Sequence, residues 1–229
     1  MLFSLSRLFR RSRMKVVQAF GKGVSRSTLR LSLCDINAEM TDAWLDAFFG
    51  VEAVEILQGD LLETGADAVV SPANSFGDMS GGVDKRIDDF YRGAAQEAII
   101  RRIGEEFLGE LPVGMATIVP MGKARIPLMI AAPTMRTPED VSKTIHAYLA
   151  MRAVLVAVHR HNARHESTIR MVALPGLCTG VGRMPYSVAA HQMRAAYDNV
   201  VGGGWKEVAH PAMAPFAFSN RAVGWRRSS

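Results

Sequence analysis

Two loops carry the residues whose types and spacing could do chemistry. The first runs from Ser71 to Asp84 with the sequence SPANSFGDMSGGVD, and the second runs from Pro175 to Gly182 with the sequence PGLCTGVG. Glycines let the backbone approach a ligand and point its amides at an anion, and a following helix adds the positive end of its dipole. The two loops therefore predict a site for a phosphate-bearing ligand.

The common nucleotide and metal signatures are missing from the sequence. Neither loop matches G-x-x-x-x-G-K-[ST], and no G-x-G-x-x-G opens a helix after the first predicted strand. This argues against nucleotide hydrolysis at a P-loop and against dinucleotide redox chemistry. Cys34 and Cys178 lie far apart, without a CxxC motif or a Cys/His cluster, so neither a disulfide framework nor a zinc site is expected. We expect a reducing compartment, no cofactor and no metal.

Alternating apolar runs and amphipathic stretches predict how the loops are positioned. Short apolar runs bounded by Gly, Asp, Ser or Pro indicate buried strands, and apolar residues that recur every three to five positions indicate helices. The predicted strands are residues 30–34, 54–57, 68–70, 115–119, 128–132 and 169–174, and the predicted helices are residues 38–49, 83–107, 137–161 and 185–201. Such alternation predicts helices on both faces of a largely parallel sheet, with ligands at the carboxyl ends of its strands.

Composition predicts one globular domain with two extensions. A chain of 229 residues with 48% hydrophobic content can bury a full core. We place the domain at residues 30–202, a basic leader at 1–29 and an irregular tail at 203–229. The leader precedes the first acidic residue and is Arg- and Ser-rich over residues 1–13, which is typical of a presequence. A start extended upstream of the true initiator Met14 would look the same.

Charge and hydropathy bound the location and the partners. No apolar stretch approaches the roughly 20 residues needed to cross a bilayer, so no membrane partner is expected. We expect a cytoplasmic monomer, or an organellar protein if the leader is a transit peptide. The net charge of +5 also allows a nucleic-acid partner, although no recognition motif accompanies it.

Four ordered segments resemble the signatures of the macrodomain family, which binds ADP-ribose and includes Appr-1''-p processing enzymes. They are QGDL at residues 58–61, DAVVSPANS at 67–75, GGVD at 81–84 and LPGLCTGV at 174–181. The resemblance spans roughly residues 30–201. It implies a three-layer α/β/α fold with a central mixed, largely parallel sheet and a cleft for ADP-ribose or an ADP-ribosylated macromolecule.

The resemblance also implies roles for individual residues. Asp60 would accept a hydrogen bond from the adenine amino group, a pairing that favours adenine, and the backbone of Leu61 would assist it. Asn74 would hold the hydroxyls of the distal ribose. The diphosphate would lie between two sets of backbone amides, with a further hydroxyl donor from the threonine: Gly81, Gly82 and Val83 on one side, and Cys178, Thr179, Gly180, Val181 and Gly182 on the other.

The resemblance implies that any catalysis would depend on Asn74 and Asp84 at the distal ribose. In hydrolytic macrodomains the acid that matches Asp84 is thought to position or activate water, which would cleave the bond at the anomeric carbon of the ribose and release ADP-ribose. A carboxylate at a helix start can instead simply complement the helix dipole. Cys178 is not expected to be a nucleophile, because no His lies at a suggestive position nearby.

The sequence departs from the family pattern at several places. Ser71 replaces the first Asn of the usual Asn-Ala-Ala-Asn, and residues 85–88 read KRID where many hydrolytic members have Gly, a small residue, Ile and His. The second loop has Arg183 in the stretch where an aromatic residue often packs on the distal ribose. Phe216 and Phe218 could stack on adenine only if the tail folds back.

Three functions therefore stay open. The first is a hydrolase that removes ADP-ribose from proteins or nucleic acid. The second is a non-catalytic reader or sink for ADP-ribose or a related nucleotide, which the altered stretch at residues 85–88 favours. The third is a nucleic-acid-binding module that uses the basic leader and tail.

Overall fold

A seven-stranded sheet forms the middle layer of the protein. The computed structural model describes residues 14–25, 28–166 and 168–207. The strand order is β1-β3-β2-β7-β4-β6-β5; β2, β3, β4, β6 and β7 pair in parallel, whereas β1 and β5 pair antiparallel to their neighbours at the two edges. The strands are β1 (Lys15–Gln18), β2 (Arg30–Asp35), β3 (Val54–Gln58), β4 (Ala68–Ser71), β5 (Thr117–Pro120), β6 (Leu128–Ala131) and β7 (Met171–Leu174).

Five helices cover the two faces of this sheet. They are α1 (Ala38–Ala47), α2 (Gly82–Phe90), α3 (Ala94–Phe107), α4 (His146–Arg164) and α5 (Tyr186–Val200). Side chains of α1, α4 and α5 share one buried cluster with Leu31 and Leu33 of β2, and side chains of α2 and α3 share another with Cys34. Because successive strand residues point to opposite faces, both faces of β2 are buried. The three-layer α/β/α fold with a mixed, largely parallel sheet is confirmed.

The order of the strands places the predicted loops at one end of the sheet. From β2 the chain passes through α1 to β3 on one side. From β4 it passes through α2, α3 and the edge strand β5 to β6 on the other side, and β7 lies between β2 and β4. The direction of winding therefore reverses between β2 and β4, and open α/β sheets bind ligands in the crevice outside such a reversal. Both glycine-rich loops follow strands at this point, β4 and β7.

The single helix predicted over residues 83–107 is wrong, because the structure has two helices there. Arg92 and Gly93 adopt left-handed backbone conformations with φ of 58° and 84° and separate α2 from α3. Asp88 supports the break, since its carboxylate accepts a hydrogen bond of 2.9 Å from the backbone amide of Gln96 in the first turn of α3. A helix interior does not tolerate two left-handed residues, so the helix ends here. The apolar spacing that predicted a single helix continues across this turn.

The helix predicted to start at Thr137 starts nine residues later, at His146. The intervening segment is a loop that lies against the second glycine-rich loop, because the backbone amide of Val141 donates to the carbonyl of Gly182 at 3.0 Å. Asp140 caps this segment locally, since its carboxylate accepts from the amide of Ser142. The sequence TPED at residues 137–140 predicted the earlier start, because Thr can cap a helix, Pro suits its first position and acids favour its dipole. Tertiary contact with the glycine loop has overridden this local capping signal.

The sheet begins upstream of the predicted domain start at residue 30. Strand β1 pairs antiparallel with β3, and the register joins Lys15 to Gln58 and Val16 to Leu57. Part of the segment assigned to a flexible leader therefore supplies an edge strand, whereas residues 1–13 lie outside the described residues. No helix in the described ranges is long and apolar enough to cross a membrane.

Candidate ligand-binding cleft

Two cavities open side by side at the carboxyl ends of the strands. The smaller has a volume of about 250 Å³ and the larger about 680 Å³. Five residues line both cavities and so form a waist between them: Gly82, Val83, Gly176, Thr179 and Gly180. The two cavities are therefore halves of one elongated cleft that narrows between the two glycine-rich loops.

The first side of the waist is the start of helix α2. Gly81 is the N-cap and has no side chain that could accept a hydrogen bond from the first turn. No side chain of the N-cap therefore caps the backbone amides at this helix start. Gly82 has φ of 58°, a left-handed conformation that side chains disfavour. A Cβ added at either glycine would meet no atom within 4 Å, so the space over this helix start is open to a ligand.

The second side of the waist is the loop after β7, which is fixed by a hydrogen bond and by close backbone packing. Asp35 at the end of β2 accepts a hydrogen bond of 3.2 Å from the backbone amide of Gly176. A Cβ at Gly182 would lie 2.6 Å from the backbone carbonyl of Cys178, so only glycine fits at that point of the loop. By contrast, a Cβ at Gly180 would meet nothing within 4 Å, because Gly180 borders the open cleft.

Cys178 contributes backbone rather than reactive sulfur. Its side chain is buried in the core cluster and its φ is 66°. Burial raises the pKa of the Cys178 thiol to about 12, and a hydrogen bond with Thr134 opposes this shift. The thiol is therefore protonated at neutral pH and poorly suited to be a nucleophile, in line with the sequence-based expectation.

Asp60 lines the larger cavity but not the smaller, and already has two partners. Its Oδ1 accepts a hydrogen bond of 2.9 Å from the backbone amide of Leu62, and this caps the short 3₁₀ turn Leu61–Glu63. Its Oδ2 pairs with Nη2 of Arg86 at 2.6 Å, and both side chains are partly exposed, 31% for the aspartate and 59% for the arginine. A ligand amine that binds this carboxylate has to share it with the guanidinium or displace it.

The larger cavity is also lined by polar residues that the sequence did not single out as site residues. Asp35, Asn37 and Tyr186 come together there, and the side-chain amide of Asn37 donates to the Tyr186 hydroxyl at 2.7 Å. Asn37 is also the N-cap of α1, since its side chain accepts a hydrogen bond from the amide of Glu39. Tyr186 begins α5 directly after Pro185, and it supplies the aromatic ring in this cavity that was sought in the tail. Phe216 and Phe218 lie outside the described residues.

Asn74 holds a turn at the edge of the smaller cavity. Its Oδ1 accepts from the backbone amides of Phe76 and Asp78 at 3.0 and 3.2 Å. The side-chain nitrogen has no hydrogen-bond partner within the described ranges, so it is available to donate to a ligand hydroxyl. The turn role and the ligand role expected of this residue are compatible.

Asp84 lies in the first turn of α2 and lines the smaller cavity. Burial raises its pKa from 3.8 to about 7, the negative charge of Asp78 adds to the shift, and a hydrogen bond from Ser71 opposes it. The Ser71 hydroxyl donates to Oδ1 of Asp84 at 2.6 Å. The departure from the usual Asn at Ser71 therefore has a direct consequence, because this side chain holds the candidate acid. A carboxyl group with a pKa near neutrality can act as an acid or as a base.

The charges around the smaller cavity indicate how an anion would be bound. None of its described lining residues is Lys, Arg or His, and it contains the carboxyl groups of Asp78 and Asp84. An anion at the waist would thus depend on backbone amides and the Thr179 hydroxyl, not on cations. In the described ranges no group of three or more His, Cys, Asp or Glu side chains is arranged to hold a metal ion.

The structure brings every predicted site residue to this cleft. The roles that these site residues would have toward a ligand stay predictions. Arg183 is not among the lining residues of either cavity. Asp60 and Leu61 line the larger cavity; Asn74, Gly81, Asp84, Cys178, Val181 and Gly182 line the smaller; and Gly82, Val83, Thr179 and Gly180 line both.

Relatives with similar sequences include named and unnamed proteins. An uncharacterized protein of Aquifex aeolicus is 33% identical over 147 residues, which cover 61% of this chain and 78% of the relative. A macro domain-containing protein of Streptomyces coelicolor is 34% identical, covering 60% of this chain and 78% of the relative. An O-acetyl-ADP-ribose deacetylase of Salmonella typhimurium is 28% identical, covering 60% of this chain and 73% of the relative.

Solved structures share the fold at low sequence identity. The macrodomain of Mycobacterium tuberculosis DarG matches with a TM-score of 0.50 and 23% identity, covering 62% of this chain and 88% of that chain. Thermosipho africanus DarTG in complex with ADP-ribose matches with a TM-score of 0.50 and 15% identity, covering 62% of this chain and 38% of that chain. The Macro domain family model matches residues 70–193, more than half of the chain, and the protein therefore belongs to the macrodomain family.

Proposed function

We propose that the protein binds ADP-ribose, with adenosine in the larger cavity, the diphosphate at the glycine waist and the distal ribose in the smaller cavity. The observation that carries this proposal is the single cleft with a carboxylate at one end, two facing glycine loops in the middle, and Asn74 with Asp84 at the other end. ADP-ribose has the matching order of an amine-bearing base, a diphosphate and a second ribose.

The adenosine end requires an exchange of partners at Asp60. The adenine amino group donates to the carboxylate in place of the Arg86 guanidinium, and the hydrogen bond is charge-assisted in both cases. The ring of Tyr186 in the same cavity offers a flat apolar surface to the base, and its hydroxyl accepts a hydrogen bond from Asn37. Arg86 is then released toward solvent or toward the adenosine ribose.

The diphosphate is recognised by amides because the waist has no cation of its own. The helix start at Gly81 and Gly82 lacks a side-chain cap and opens toward the cleft, so it can donate to phosphate oxygens with the helix dipole behind it. Thr179 lines both cavities and adds a hydroxyl donor. Binding through backbone amides and a hydroxyl therefore favours a ligand with a diphosphate over a base or a sugar without phosphate.

Calorimetric titration with ADP-ribose tests the proposal, with Gly180→Val as the decisive variant. The glycine is not in a left-handed conformation, and its Cβ position is open, so valine adds bulk to the cleft without straining the backbone. Gly23→Val is the matched control, since that glycine is also unstrained and open but lies outside both cavities. We expect the wild type and Gly23→Val to bind and Gly180→Val to lose binding at unchanged melting temperature. Equal binding by all three proteins would refute this placement.

Fragments and a second variant locate the adenine end. AMP should bind more weakly than ADP-ribose, and ribose 5-phosphate should bind more weakly still, because each occupies one part of the cleft. Asp60→Ala should weaken ADP-ribose and AMP by the same factor and leave ribose 5-phosphate unaffected. If it weakens all three equally, the carboxylate does not contact the base.

A second candidate function, hydrolysis of an ADP-ribosyl bond, rests on the environment of Asp84. Its pKa of about 7 lets the carboxylate accept a proton from water near physiological pH, and the Ser71 hydroxyl fixes its Oδ1. In this reaction the water oxygen bonds to the anomeric carbon, and the bond from that carbon to the modified side chain breaks with its electron pair leaving on the side chain. The water proton passes to Asp84, which then gives it to the leaving group or to solvent. Asn74 orients the ribose hydroxyls. A relative named O-acetyl-ADP-ribose deacetylase supports hydrolytic chemistry in this family.

Turnover of an ADP-ribosylated protein or nucleic acid separates a hydrolase from a reader. Asp84→Asn keeps the size of the side chain and an acceptor for Ser71 but cannot accept a proton from water. A hydrolase should lose turnover in this variant and keep its affinity for ADP-ribose. If saturating wild-type protein releases no ADP-ribose from any modified substrate, the protein is a reader or sink. A cytoplasmic location and a monomeric state remain part of the proposal, to be checked by fractionation and by size-exclusion chromatography.

A further inference from the structure

A third cavity lies at the β5 edge of the sheet, away from the cleft. It has a volume of about 560 Å³ and is lined by α4, by β5 with the residues before it, and by the end of α3, and we call it the α4–β5 groove. It shares no lining residue with the two cavities of the cleft. Helix α4 starts beside the cleft, where Nδ1 of His146 lies 2.9 Å from the carbonyl oxygen of Thr134, and it ends at Arg164 near the amino ends of the strands.

The wall that α4 contributes is strongly basic. Arg152, Arg160 and Arg164 recur at multiples of four residues, so they form one stripe along the helix surface. All three are exposed, and the sequence of α4 contains no Asp or Glu. Arg160 and Arg164 form no ion pair within the described ranges. This stripe is therefore a row of positive charges without internal compensation.

The acid at the opposite wall is already neutralised. Glu106 lines the groove, but its carboxylate pairs with Nη1 of Arg102 at 3.1 Å and accepts a hydrogen bond of 2.8 Å from the Thr117 hydroxyl. Arg102 also donates to the carbonyl of Ile118 in β5. The net charge presented to a molecule in the groove is set by the arginines of α4.

Apolar and flat surfaces lie between these walls. Ala116, Ile118 and Leu128 are partly buried side chains at the floor of the groove. At its α4 end the imidazole rings of His161 and His165 stack with centroids 4.4 Å apart and an interplanar angle of 28°. A groove that combines a cationic wall with apolar and ring surfaces is the arrangement by which proteins hold single strands of nucleic acid.

We propose that the α4–β5 groove binds a single-stranded nucleic-acid segment, with phosphates on Arg160 and Arg164 and bases against the floor and the stacked imidazoles. Arginine suits this role because its planar guanidinium pairs with phosphate oxygens and stacks on bases. An acidic peptide would use the charges but would leave the apolar floor without a partner of matching shape. A duplex hides its base faces and would contact only the outer arginines. The proposal is independent of ADP-ribose binding, because the two sites share no residue.

Fluorescence anisotropy of the full chain with a labelled oligothymidylate tests the groove over a series of salt concentrations. The test variant is the double substitution Arg160→Gln/Arg164→Gln. The matched control is Arg101→Gln/Lys123→Gln, which removes the same charge from two exposed residues outside the groove. Each phosphate contact on a single strand adds about 0.7 to the slope of log affinity against log salt, so two lost contacts lower that slope by about 1.4. At about 0.1 M salt this corresponds to roughly 25-fold weaker binding if the two lines meet at about 1 M.

The outcomes separate this proposal from its competitors. Support requires that the groove variant loses affinity and salt dependence, that the control keeps both, and that all three proteins keep the same melting temperature. Equal losses in both double variants would mean that overall charge, including the basic termini, carries the binding, and the proposal fails. It also fails if the wild type does not bind the oligonucleotide, or if polyglutamate binds as tightly with the same dependence on the two arginines.

Discussion

Replacing Asp84 with Asn should stabilise the protein at neutral and alkaline pH. The carboxyl group is held in the cleft at a pKa of about 7, compared with 3.8 when unperturbed, chiefly because burial disfavours its charged form. Asparagine has nearly the same shape, stays neutral at every pH and can still accept the hydrogen bond from Ser71. The substitution therefore imitates the protonated state of the native protein and removes only the cost of ionisation.

The sign and size of the effect follow from linkage between protonation and folding. Below about pH 4 the carboxyl group is protonated in both the folded and the unfolded chain, so it contributes no pH dependence. Between about pH 4 and pH 7 the folded chain keeps a proton that the unfolded chain has lost, and stability falls as the pH rises through this window. The shift of roughly three units corresponds to about 4 kcal/mol, because each unit is worth about 1.4 kcal/mol. Above the folded pKa of about 7 the loss is complete.

Urea unfolding measured across this pH range provides the assay. The free energy of unfolding of Asp84→Asn minus that of the wild type should rise by up to about 1.4 kcal/mol per pH unit and level off near pH 7. Asp42→Asn is the matched control for the chemical change, since Asp42 is exposed on α1 and outside the cleft. Parallel curves for the wild type and Asp84→Asn would refute the raised pKa and, with it, the case for Asp84 as a base near neutral pH.

Three further predictions concern single residues. Arg86→Gln should tighten ADP-ribose binding by at most about fivefold in calorimetry, because an exposed ion pair of this kind is worth up to about 1 kcal/mol and no longer competes for Asp60; weaker binding would mean that the guanidinium contacts the ligand. Gly104→Ala, at an open and exposed position within α3, should raise the free energy of unfolding by about 0.5–1 kcal/mol, and no increase would contradict the helical conformation there. Cys178 should resist iodoacetamide at pH 8 in the folded protein and react only after denaturation, as followed by mass spectrometry, because burial raises the pKa of its thiol to about 12.

The cleft could be predicted from the sequence because its residues follow strands in short, ordered motifs. Buried strands such as β4 and β7 are apolar runs that end at glycine-rich turns, so the location of both loops follows from alternation alone. Once the loops were placed at the ends of strands, Asp60, Asn74 and Asp84 were expected at the same edge of the sheet. Their contact with a ligand is a separate matter and stays a prediction.

The features that sequence reasoning missed depend on contacts between distant segments. Tyr186 faces Asn37 across 149 positions of chain, and no local pattern marks that pairing. The ion pair between Asp60 and Arg86 likewise joins the turn after β3 to helix α2, whose separation is set by the sheet. The late start of α4 follows from the bond between Val141 and Gly182, which outweighs a capping signal that would be adequate in isolation.

The proposed catalytic role of Asp84 and the proposed binding of a diphosphate ligand make opposite demands on the charge of this side chain. An ionised carboxylate is needed to accept a proton from water, so turnover should rise as the pH increases through about 7. The ionised Asp84 also lines the smaller cavity, whose described lining residues include no Lys, Arg or His. This cavity is proposed to receive the distal ribose of a ligand that carries a diphosphate, so binding should weaken over the same pH range. A bound diphosphate would also raise the pKa of the carboxyl group further and draw a proton into the complex. A hydrolase with this site would therefore trade affinity for reactivity near neutral pH, whereas a reader would show only the loss of affinity, and the comparison of the two pH profiles distinguishes them.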